Sequence, residues 1–157
     1  MNDPLAGPPR DSRYARIAEH AHRYAATCGR EGHLWNGVST LLLTTLGRHT
    51  GFPHRTVLIY QQHGTDYLVA ASNLGSHHHP HWYLNLQAHP QARLQVLNEH
   101  LVVTARTAGE PERPALWGRM TALWPAYAEY QAATTRTIPL VLLQPEAPAT
   151  RNREACP

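Results

Sequence analysis

The sequence predicts a mainly β domain of the α+β class, in which a small barrel carries flanking helices. Six short segments rich in Leu, Val, Thr and Tyr are separated by turn residues, as in small barrels. Helical patterns precede, interrupt and follow these segments. The chain has 157 residues, of which 42% are hydrophobic and 16% are charged, so it suits one domain with a proper core.

We expect this single domain to span residues 13–145, because no internal repeat or composition change divides them. Residues 1–12 are predicted to be a flexible N-terminal lead-in. Residues 146–157 are rich in proline and polar residues, and we predict a flexible C-terminal tail there.

The first element is a helix from Ser12 or Arg13 to about Cys28, with Gly29 as its stop. Its apolar face carries Tyr14, Ile17, Ala21, Tyr24 and Ala25. Its other face carries Arg13, Arg16, His20 and Arg23. A solvated amphipathic helix explains this pattern, and the alternatives are a helix that touches membrane lipid or covers a pocket.

Strands and further helices follow this first helix. The strands are predicted over residues 40–46, 56–61, 67–71, 92–97, 101–108 and 138–143. A tight turn at residues 63–66 joins the second strand to the third, and a hairpin around residues 98–100 joins the fourth to the fifth. The helices are predicted from Pro80 to about His89, from Glu110 to Trp124 and over residues 126–133.

Charge and cysteine content exclude several classes of protein. The formal charge of +3 is too small and too evenly spread for a nucleic-acid-binding protein, and all 14 basic residues other than histidine are arginines. Cys28 and Cys156 lie far apart, so we expect neither a disulfide framework nor a Cys-x-x-Cys site. The chain shows no signal-peptide pattern and no run of about 20 apolar residues, so we expect a cytoplasmic protein.

The connection between the first two strands is unusually cationic for a hairpin. Its glycines permit positive φ angles, so successive N–H groups can surround an anion, and its arginines can bind phosphate or carboxylate in a bidentate manner. The residues concerned are Gly47, Arg48, His49, Thr50, Gly51, His54 and Arg55. They form either an anion-binding loop or a solvent-exposed turn.

The segment over residues 71–86 is a second candidate. Ser72, Asn73 and Gly75 follow a strand end, where polar groups commonly meet a ligand. Four histidines follow at His77, His78, His79 and His81, which suggests a metal or haem site. Because no carboxylate or cysteine lies near them in sequence, a solvated or cofactor-flanking loop is the favoured interpretation, and we predict no metal.

A third candidate is the aromatic series Trp124, Tyr127 and Tyr130, whose members lie three residues apart on a short helix. Tyrosines of this kind often fill a core while the hydroxyl stays wet. The alternative is an apolar pocket in which the phenol groups orient or protonate a carbonyl-type substrate.

Taken together, these segments resemble the deazaflavin-dependent nitroreductase family, whose members use coenzyme F420. The resemblance runs from about Leu41 to Pro145, and five segments match in order and spacing: "LLLTTLGRHTGFPHR", "YLVAASNLG", "HPHWYLNLQAHPQARLQV", "TARTAGEPERPALW" and "WPAYAEYQAATTRTIPLVLLQP". The resemblance implies a split β-barrel similar to the barrels that bind flavin mononucleotide. It also implies an enzyme that acts on a small-molecule substrate.

The resemblance also implies a set of cofactor-binding residues. The phosphate and polyglutamate tail of the deazaflavin would meet Arg48, His49, Thr50, Gly51, His54 and Arg55. The ring would lie along Leu58, Ile59, Tyr60, Ala70, Ala71, Ser72, Asn73, Leu74 and Gly75, with Trp82 and Asn85 beneath it or near the tail. Relatives usually have Lys at the position of His49 and Ser-Lys-Gly-Gly where this chain has Ser72-Asn73-Leu74-Gly75, so fixed positive charge is reduced here.

The activity implied is hydride transfer from the reduced deazaflavin to an activated C=C bond, a quinone or a nitro compound. Tyr130 and Tyr127 would donate the proton or orient a carbonyl, with Ser72 as a further candidate, and Trp124 would complete the substrate pocket. The alternatives are a non-catalytic binder of a cofactor or hydrophobic metabolite, and a haem or metal protein that uses His77–His81. A homodimer and peripheral membrane contact through the first helix are further hypotheses.

Overall fold

A computed structural model of the chain describes residues 3–146, residues 152 and 153, and residue 156. The helices in these parts are α1 (Ala15–Thr27), α2 (His81–Ala88), α3 (Arg113–Leu123) and α4 (Ala126–Ala132), and a 3-10 turn spans Asn73–Gly75. The strands are β1 (Leu34–Trp35), β2 (Val38–Leu46), β3 (Pro53–Ile59), β4 (Gln61–His63), β5 (Asp66–Ala70), β6 (Gln91–Val96), β7 (Glu99–Thr107), β8 (Leu140–Pro145) and β9 (Asn152–Arg153).

The strands form one antiparallel sheet that curls into a half-barrel. Their order is β1-β2-β6-β7-β8-β5-β4, while β3 pairs with β2 and β9 pairs with β7. Strand β2 is central because β3 and β6 flank it over the same residues, 42–45. The sheet curls far enough for β3 to contact β5. This arrangement confirms the predicted barrel with flanking helices.

Strand β5 is buried on both faces and separates two parts of the core. Tyr67 and Val69 face the barrel interior, where they pack with Leu41 and Leu43 of β2. The alternate residues of β5 face α3 and α4, in a second cluster that includes Leu116, Met120, Tyr127, Ile138, Leu140 and Leu142. Side chains alternate along a strand, so a nearly continuous apolar run can serve two layers. The helices α3 and α4 are therefore fixed against the outside of the barrel.

Helix α1 packs on the outer face of the β2–β3 hairpin. Ala21 and Tyr24 are fully buried there against Leu42. The helix ends where Cys28 and Gly29 adopt positive φ angles of 50° and 76°, which confirms the predicted stop. Among the described residues, no helix is long and apolar enough to cross a membrane.

The lead-in also packs on the barrel in this structure. Leu5 is only 3% exposed. Arg10 makes two backbone hydrogen bonds with β3, one to the carbonyl of Pro53 at 2.9 Å and one from the amide of Arg55 at 2.8 Å. Arg10 thus forms a single parallel bridge with His54 at the edge of β3, a placement that the proline-rich sequence of the lead-in did not suggest.

The chain end is attached to the domain at two points. Residues 152 and 153 form β9 on β7, and the sulfur atoms of Cys28 and Cys156 form a disulfide. The prediction that these cysteines form no disulfide is therefore wrong. Their separation of 128 positions gave no local signal, and only the fold brings the end of α1 beside the chain end.

Four strands of the structure differ from the predicted set. Strand β1 and the short β9 were not predicted, and the segment predicted over residues 56–61 divides into β3, which begins at Pro53, and β4. The other boundaries differ by a few residues, the largest shift being the start of α3 at Arg113 instead of Glu110. Such differences are expected because element ends depend on tertiary contacts.

Candidate functional site

The cationic loop, defined here as residues 47–52, connects β2 to β3. The two strands pair up to Leu46 and Pro53, and the loop closes through hydrogen bonds from the Gly47 amide to the Phe52 carbonyl and from the Gly51 amide to the Gly47 carbonyl. Gly51 has a φ angle of +71°. A Cβ atom on Gly47 would lie 2.6 Å from the His54 ring, so only glycine permits this close packing.

Arg48 is held in place by helix α2. Its backbone N–H and its Nη1 both donate to Oδ1 of Asn85, at 3.2 and 2.9 Å, and its Nη2 lies 3.3 Å from Nδ1 of His81. Asn85 is buried and donates in turn to the hydroxyl of Thr45. Among the described residues Arg48 has no carboxylate partner, so its charge is positioned but not neutralised. This is the arrangement that an anionic ligand requires.

His54 and Arg55 lie on opposite faces of β3, although they were predicted to bind the same anionic group. Nε2 of His54 lies 2.8 Å from the hydroxyl of Thr50, so His54 faces the cationic loop. Arg55 instead makes a two-pronged ion pair with Asp11 of the lead-in, at 2.7 and 2.9 Å. Because consecutive strand residues point in opposite directions, both could not serve one ligand.

The surroundings of His54 disfavour its charged form. Burial, together with the positive charge of Arg10 and the neighbouring His81, lowers the pKa of His54. His54 is therefore neutral near pH 7, where it serves the loop as a hydrogen-bonding group. An anion bound at the loop would raise this pKa and favour the charged ring.

The segment over residues 71–76, which we call the ring loop, follows β5 and has a strained backbone. Asn73, Leu74 and Gly75 have consecutive positive φ angles of 45°, 54° and 80°. Gly75 packs directly against α4, since a Cβ atom there would lie 3.0 Å from both Cα and the carbonyl oxygen of Tyr130. The ring loop and Tyr130, predicted separately from the sequence, are therefore direct neighbours.

Arg136 holds the ring loop in place through hydrogen bonds to its backbone. This residue was not predicted from the sequence. Its guanidinium donates to the carbonyls of Ala71, Ser72 and Ser76 at 3.2, 2.7 and 2.8 Å. Its Nη1 also lies 3.1 Å from Nδ1 of His79. One side chain thus satisfies three backbone acceptors of a loop that has little regular structure. No local pattern marks this role, because the partners lie about 60 residues earlier in the chain.

The aromatic residues of α4 have different environments. Tyr127 is buried in the cluster between α4 and the sheet, and burial, with a smaller contribution from Tyr130, raises its pKa above the ordinary value. Tyr130 is half-buried and its ring contacts that of Tyr127 edge-on, at 6.2 Å between centroids. Trp124 precedes α4, and its ring lies 5.0 Å from that of Trp35 in β1. Of the two tyrosines, only Tyr130 combines access with contact to the ring loop.

The remaining residues predicted to line the ring do not share one face. Leu58 and Tyr60 pack against the barrel interior, and Trp82 does so from α2. Ile59 alternates to the other face of β3, and Ala70 packs towards α3 and α4 while Ala71 packs inwards. Ile59 and Ala70 could therefore meet the ring only through backbone atoms.

The four histidines after the ring loop do not converge. His77 lies against Thr134, His79 against Arg136 and His81 against Arg48. Two of these partners are cationic guanidinium groups, which disfavour a metal ion between them. Within the described ranges, no three residues of the His, Cys, Asp and Glu types form a metal-binding group.

Two concavities lie away from all of these residues. One of about 250 Å³ adjoins the Cys28–Cys156 disulfide, and one of about 230 Å³ lies between α2 and β7. Neither is lined by a residue predicted to bind cofactor or substrate. The chemical arrangement of the cationic loop and ring loop, and not the size of a cavity, therefore defines the candidate site.

These residues fit the deazaflavin cofactor in chemical character. The cationic loop offers an unneutralised guanidinium for an anionic tail. Asn85 connects this loop to α2, and residues 77–80 connect the start of α2 to the ring loop. The ring loop in turn contacts Tyr130. An elongated ligand that is anionic at one end and flat at the other matches this order of groups.

Comparison with known proteins identifies the family of this chain. Residues 16–145 match the family described as F420H(2)-dependent quinone reductase. The F420H(2)-dependent quinone reductase Rv1261c of Mycobacterium tuberculosis (strain ATCC 25618 / H37Rv) is 37% identical over 128 residues, which cover 79% of this chain and 86% of that protein.

Solved structures give the same result. One solved structure, described as F420-H2 dependent reductase (FDR-A), is 33% identical in sequence and matches with a TM-score of 0.62. The match covers 67% of this chain and 93% of the chain in that structure. Another structure, described as a domain-swapped dimer, is 30% identical with a TM-score of 0.63. That match covers 80% of this chain and 95% of the other. These similarities confirm the predicted split barrel, the deazaflavin cofactor and the oxidoreductase class. The chain belongs to the F420H(2)-dependent quinone reductase family, whose hydride donor is reduced coenzyme F420.

Proposed function

We propose that this protein transfers a hydride from reduced coenzyme F420 to an electron-poor small molecule, namely a quinone, an activated C=C bond or a nitro compound. The bound deazaflavin supplies the hydride. The protein positions the cofactor, shapes the acceptor pocket and supplies a proton to the reduced product. The observation that carries this proposal is the positioned and unneutralised Arg48, joined through Asn85 and α2 to the ring loop beside Tyr130.

The acidic tail of the cofactor is assigned to the cationic loop. Arg48 would bind it through its guanidinium, and the hydroxyl of Thr50 would add a hydrogen bond. Gly51, whose N–H already donates to the Gly47 carbonyl, would maintain the bend of the loop. His49 is exposed beside them, and His54 would gain charge as the anion binds. Arg55 is not assigned to the cofactor, because its ion pair with Asp11 holds it on the other face of β3.

The acceptor side is assigned to Tyr130, Ser72 and Trp124. Tyr130 is the proposed proton donor because the residue is half-buried and its backbone packs directly on the ring loop. Ser72 lies in that loop and is the second candidate. Burial and the raised pKa of Tyr127 make it a poorer acid, so we assign it to the support of Tyr130.

Fluorescence titration with oxidised coenzyme F420, run beside flavin mononucleotide, tests the proposal. We expect saturable binding of the deazaflavin and much weaker binding of the flavin. Turnover is then followed with the reduced coenzyme and a panel of one quinone, one enone and one nitroaromatic compound. Binding of the deazaflavin without turnover of any acceptor would instead indicate a non-catalytic binder on the same barrel. Failure to bind the deazaflavin would refute the proposal.

Homodimer formation and membrane contact remain predictions. A related structure is described as a domain-swapped dimer, which supports testing for two copies by size exclusion with light scattering. Arg16 and Arg23 of α1, and Arg13 just before it, are exposed, so sedimentation with anionic vesicles tests lipid contact. Loss of sedimentation when these arginines are changed to glutamine would support it.

A further inference from the structure

The hairpin formed by β1 and the start of β2 carries two large apolar side chains into solvent. Leu34 is 69% exposed and Trp35 is 42% exposed. The hairpin turns at Asn36 and Gly37, which have φ angles of 49° and 81°, as required by a tight two-residue turn. Only two residue pairs join β1 to β2, so this element is short and has little support of its own.

This hairpin lies between two parts of the candidate site. On one side, the His33 ring that precedes β1 lies 6.1 Å from the ring of Tyr60, next to the strand predicted to line the deazaflavin. On the other side, the ring of Trp35 lies 5.0 Å from that of Trp124, with an angle of 40° between their planes. The hairpin therefore bridges the predicted ring-binding strand and the predicted acceptor wall.

The contact between the two indoles makes one continuous aromatic surface. Trp124 is only half-buried, and Trp35 contributes a further exposed face. Large exposed aromatic surface is costly in water unless a ligand or partner covers it, and flat conjugated rings pack on such surfaces by offset or edge-to-face stacking. An aliphatic acceptor would gain much less from it.

We infer that Trp35 is a specificity-determining residue, which together with Trp124 binds flat, conjugated and apolar acceptor rings. This inference rests on the proposed function and specifies its substrate class. The hairpin holds the indole against Trp124, and the acceptor packs on the face that both rings share. Quinone-type rings are selected over small aliphatic enones.

Two variants of Trp35 test the inference, Trp35→Ala and Trp35→Phe, with 1,4-naphthoquinone and 2-cyclohexen-1-one as acceptors. For Trp35→Ala we expect the KM of naphthoquinone to rise about tenfold, the loss expected from removing a stacking aromatic anchor. The KM of cyclohexenone should change less than about threefold, and Trp35→Phe should retain most of the naphthoquinone affinity. The dissociation constant of coenzyme F420 should stay unchanged in both.

Tyr14→Ala is the matched control, because Tyr14 is an exposed aromatic residue immediately before α1 and outside the candidate site. It should alter neither KM. Equal effects of Trp35→Ala on both acceptors, or no effect on either, would overturn the inference.

A second readout does not depend on the coenzyme. Naphthoquinone should quench the tryptophan fluorescence of the wild-type protein saturably, and the half-saturating concentration should rise about tenfold in Trp35→Ala. Absence of this rise would overturn the inference even if coenzyme F420 does not bind. Conversely, normal quenching without coenzyme binding would refute the proposed function and leave the acceptor surface intact.

Discussion

Arg48 and Arg55 lie seven positions apart on one hairpin and have opposite electrostatic environments. The guanidinium of Arg48 is held by an amide oxygen and an imidazole, which leave its charge available. The guanidinium of Arg55 is neutralised by the two carboxylate oxygens of Asp11. Arg48 is therefore suited to bind an anionic ligand, whereas Arg55 is suited to fasten the lead-in.

The two arginines should respond differently to truncation. Arg48→Ala should weaken coenzyme F420 binding, and more strongly at low salt than at high salt, because screening reduces charge–charge attraction. Arg55→Ala should leave that affinity nearly unchanged but lower the free energy of unfolding by about 1–3 kcal/mol, because Asp11 loses its partner. Fluorescence titration at two salt concentrations and urea unfolding measure both effects. The reverse pattern would contradict the assignment.

The Tyr→Phe variants of Tyr130 and Tyr127 can be compared in the same way. Tyr130→Phe should reduce kcat by about 10²-fold or more if its hydroxyl delivers the proton, and should leave coenzyme affinity nearly unchanged. Tyr127→Phe should have a small effect on kcat, since its phenol is buried and its pKa is raised. Steady-state kinetics with one acceptor separates them. Equal kcat values for Tyr130→Phe and the wild type would remove Tyr130 from the mechanism.

At the scale of elements, the ring loop depends on residues distant in sequence for its shape. Arg136, which lies after α4, binds three of its carbonyls, and Gly75 brings its backbone against α4. The exposed Leu74 has a φ angle of 54°, a conformation that costs a non-glycine residue about 1–2 kcal/mol. Tertiary contacts therefore maintain a conformation that the local sequence disfavours.

Gly75→Ala should disturb this packing, and Gly64→Ala provides the control. Both glycines have positive φ angles, of 80° and 61°, but an added Cβ atom meets the backbone of Tyr130 at 3.0 Å only in Gly75→Ala. Both variants should lose about 1 kcal/mol from the unfavourable φ angle, and Gly75→Ala should lose a further 1–3 kcal/mol from overpacking. Chemical unfolding gives these losses. Equal losses would show that the ring loop and α4 are not tightly packed.

The elements that could be predicted from the sequence are those with strong local patterns. Helix α1, the long strands β2 and β7, and the glycine-rich cationic loop follow from periodicity and turn residues. Strand β1 could have been found as well, because Asn36-Gly37 is a strong hairpin signal. The opposite orientations of His54 and Arg55 also follow from strand alternation once the strand is known to begin at Pro53.

The parts of the site that could not be predicted depend on contacts between distant residues. The lead-in pairs with β3 through Arg10, and Arg136 supports a loop about 60 residues away. The contact of Trp35 with Trp124 joins β1 to the start of α4. No spacing rule within one sequence reports such contacts. The family resemblance identified the cofactor, but it did not identify these supporting residues.

At the scale of the whole molecule, the Cys28–Cys156 disulfide should contribute much of the stability. It closes a loop of 128 positions, and the loop-entropy model gives about 4–5 kcal/mol for such a length. We expect the double variant Cys28→Ser/Cys156→Ser to unfold at a clearly lower temperature than the oxidised protein, and reductant to lower the Tm of the wild type alone. Disulfides are rare in the cytosol, so a thiol count on protein alkylated during lysis also tests the predicted cytoplasmic location.

Stability should also decrease on mild acidification. Burial is the main cause that lowers the pKa of His33, His54 and His79 below the ordinary value of 6.5. The unfolded chain therefore binds more protons near pH 6, so stability rises with pH in that range. The contribution of these neutral histidines to the free energy of unfolding is complete above about pH 7.5. It is lost as the pH falls through 6.5 towards the lower pKa values of the folded protein.

Thermal unfolding between pH 5 and pH 8.5 measures this dependence. The Tm should be level at the alkaline end and fall below about pH 7. Glu112 does not contribute there, because its hydrogen bonds with Arg106 lower its pKa to about 2 and place its titration at much lower pH. A Tm that increases from pH 7 to pH 5.5 would show that these histidines are not protected from protonation.

The covalent link between the end of α1 and the chain terminus has a mechanical consequence. A force applied at both ends of the polypeptide would load the hydrogen bonds of Arg10 with β3 and then α1, and would pass from the sulfur of Cys28 directly to that of Cys156. The hydrogen bonds among β2 to β8, which lie inside the covalent loop, would not be loaded. A protease that unfolds its substrate by pulling on the terminus would encounter a covalently closed loop instead of an open chain. Under tension, the distance between fluorophores attached at the two ends should therefore increase only through the residues outside the covalent loop, until a reductant opens that loop.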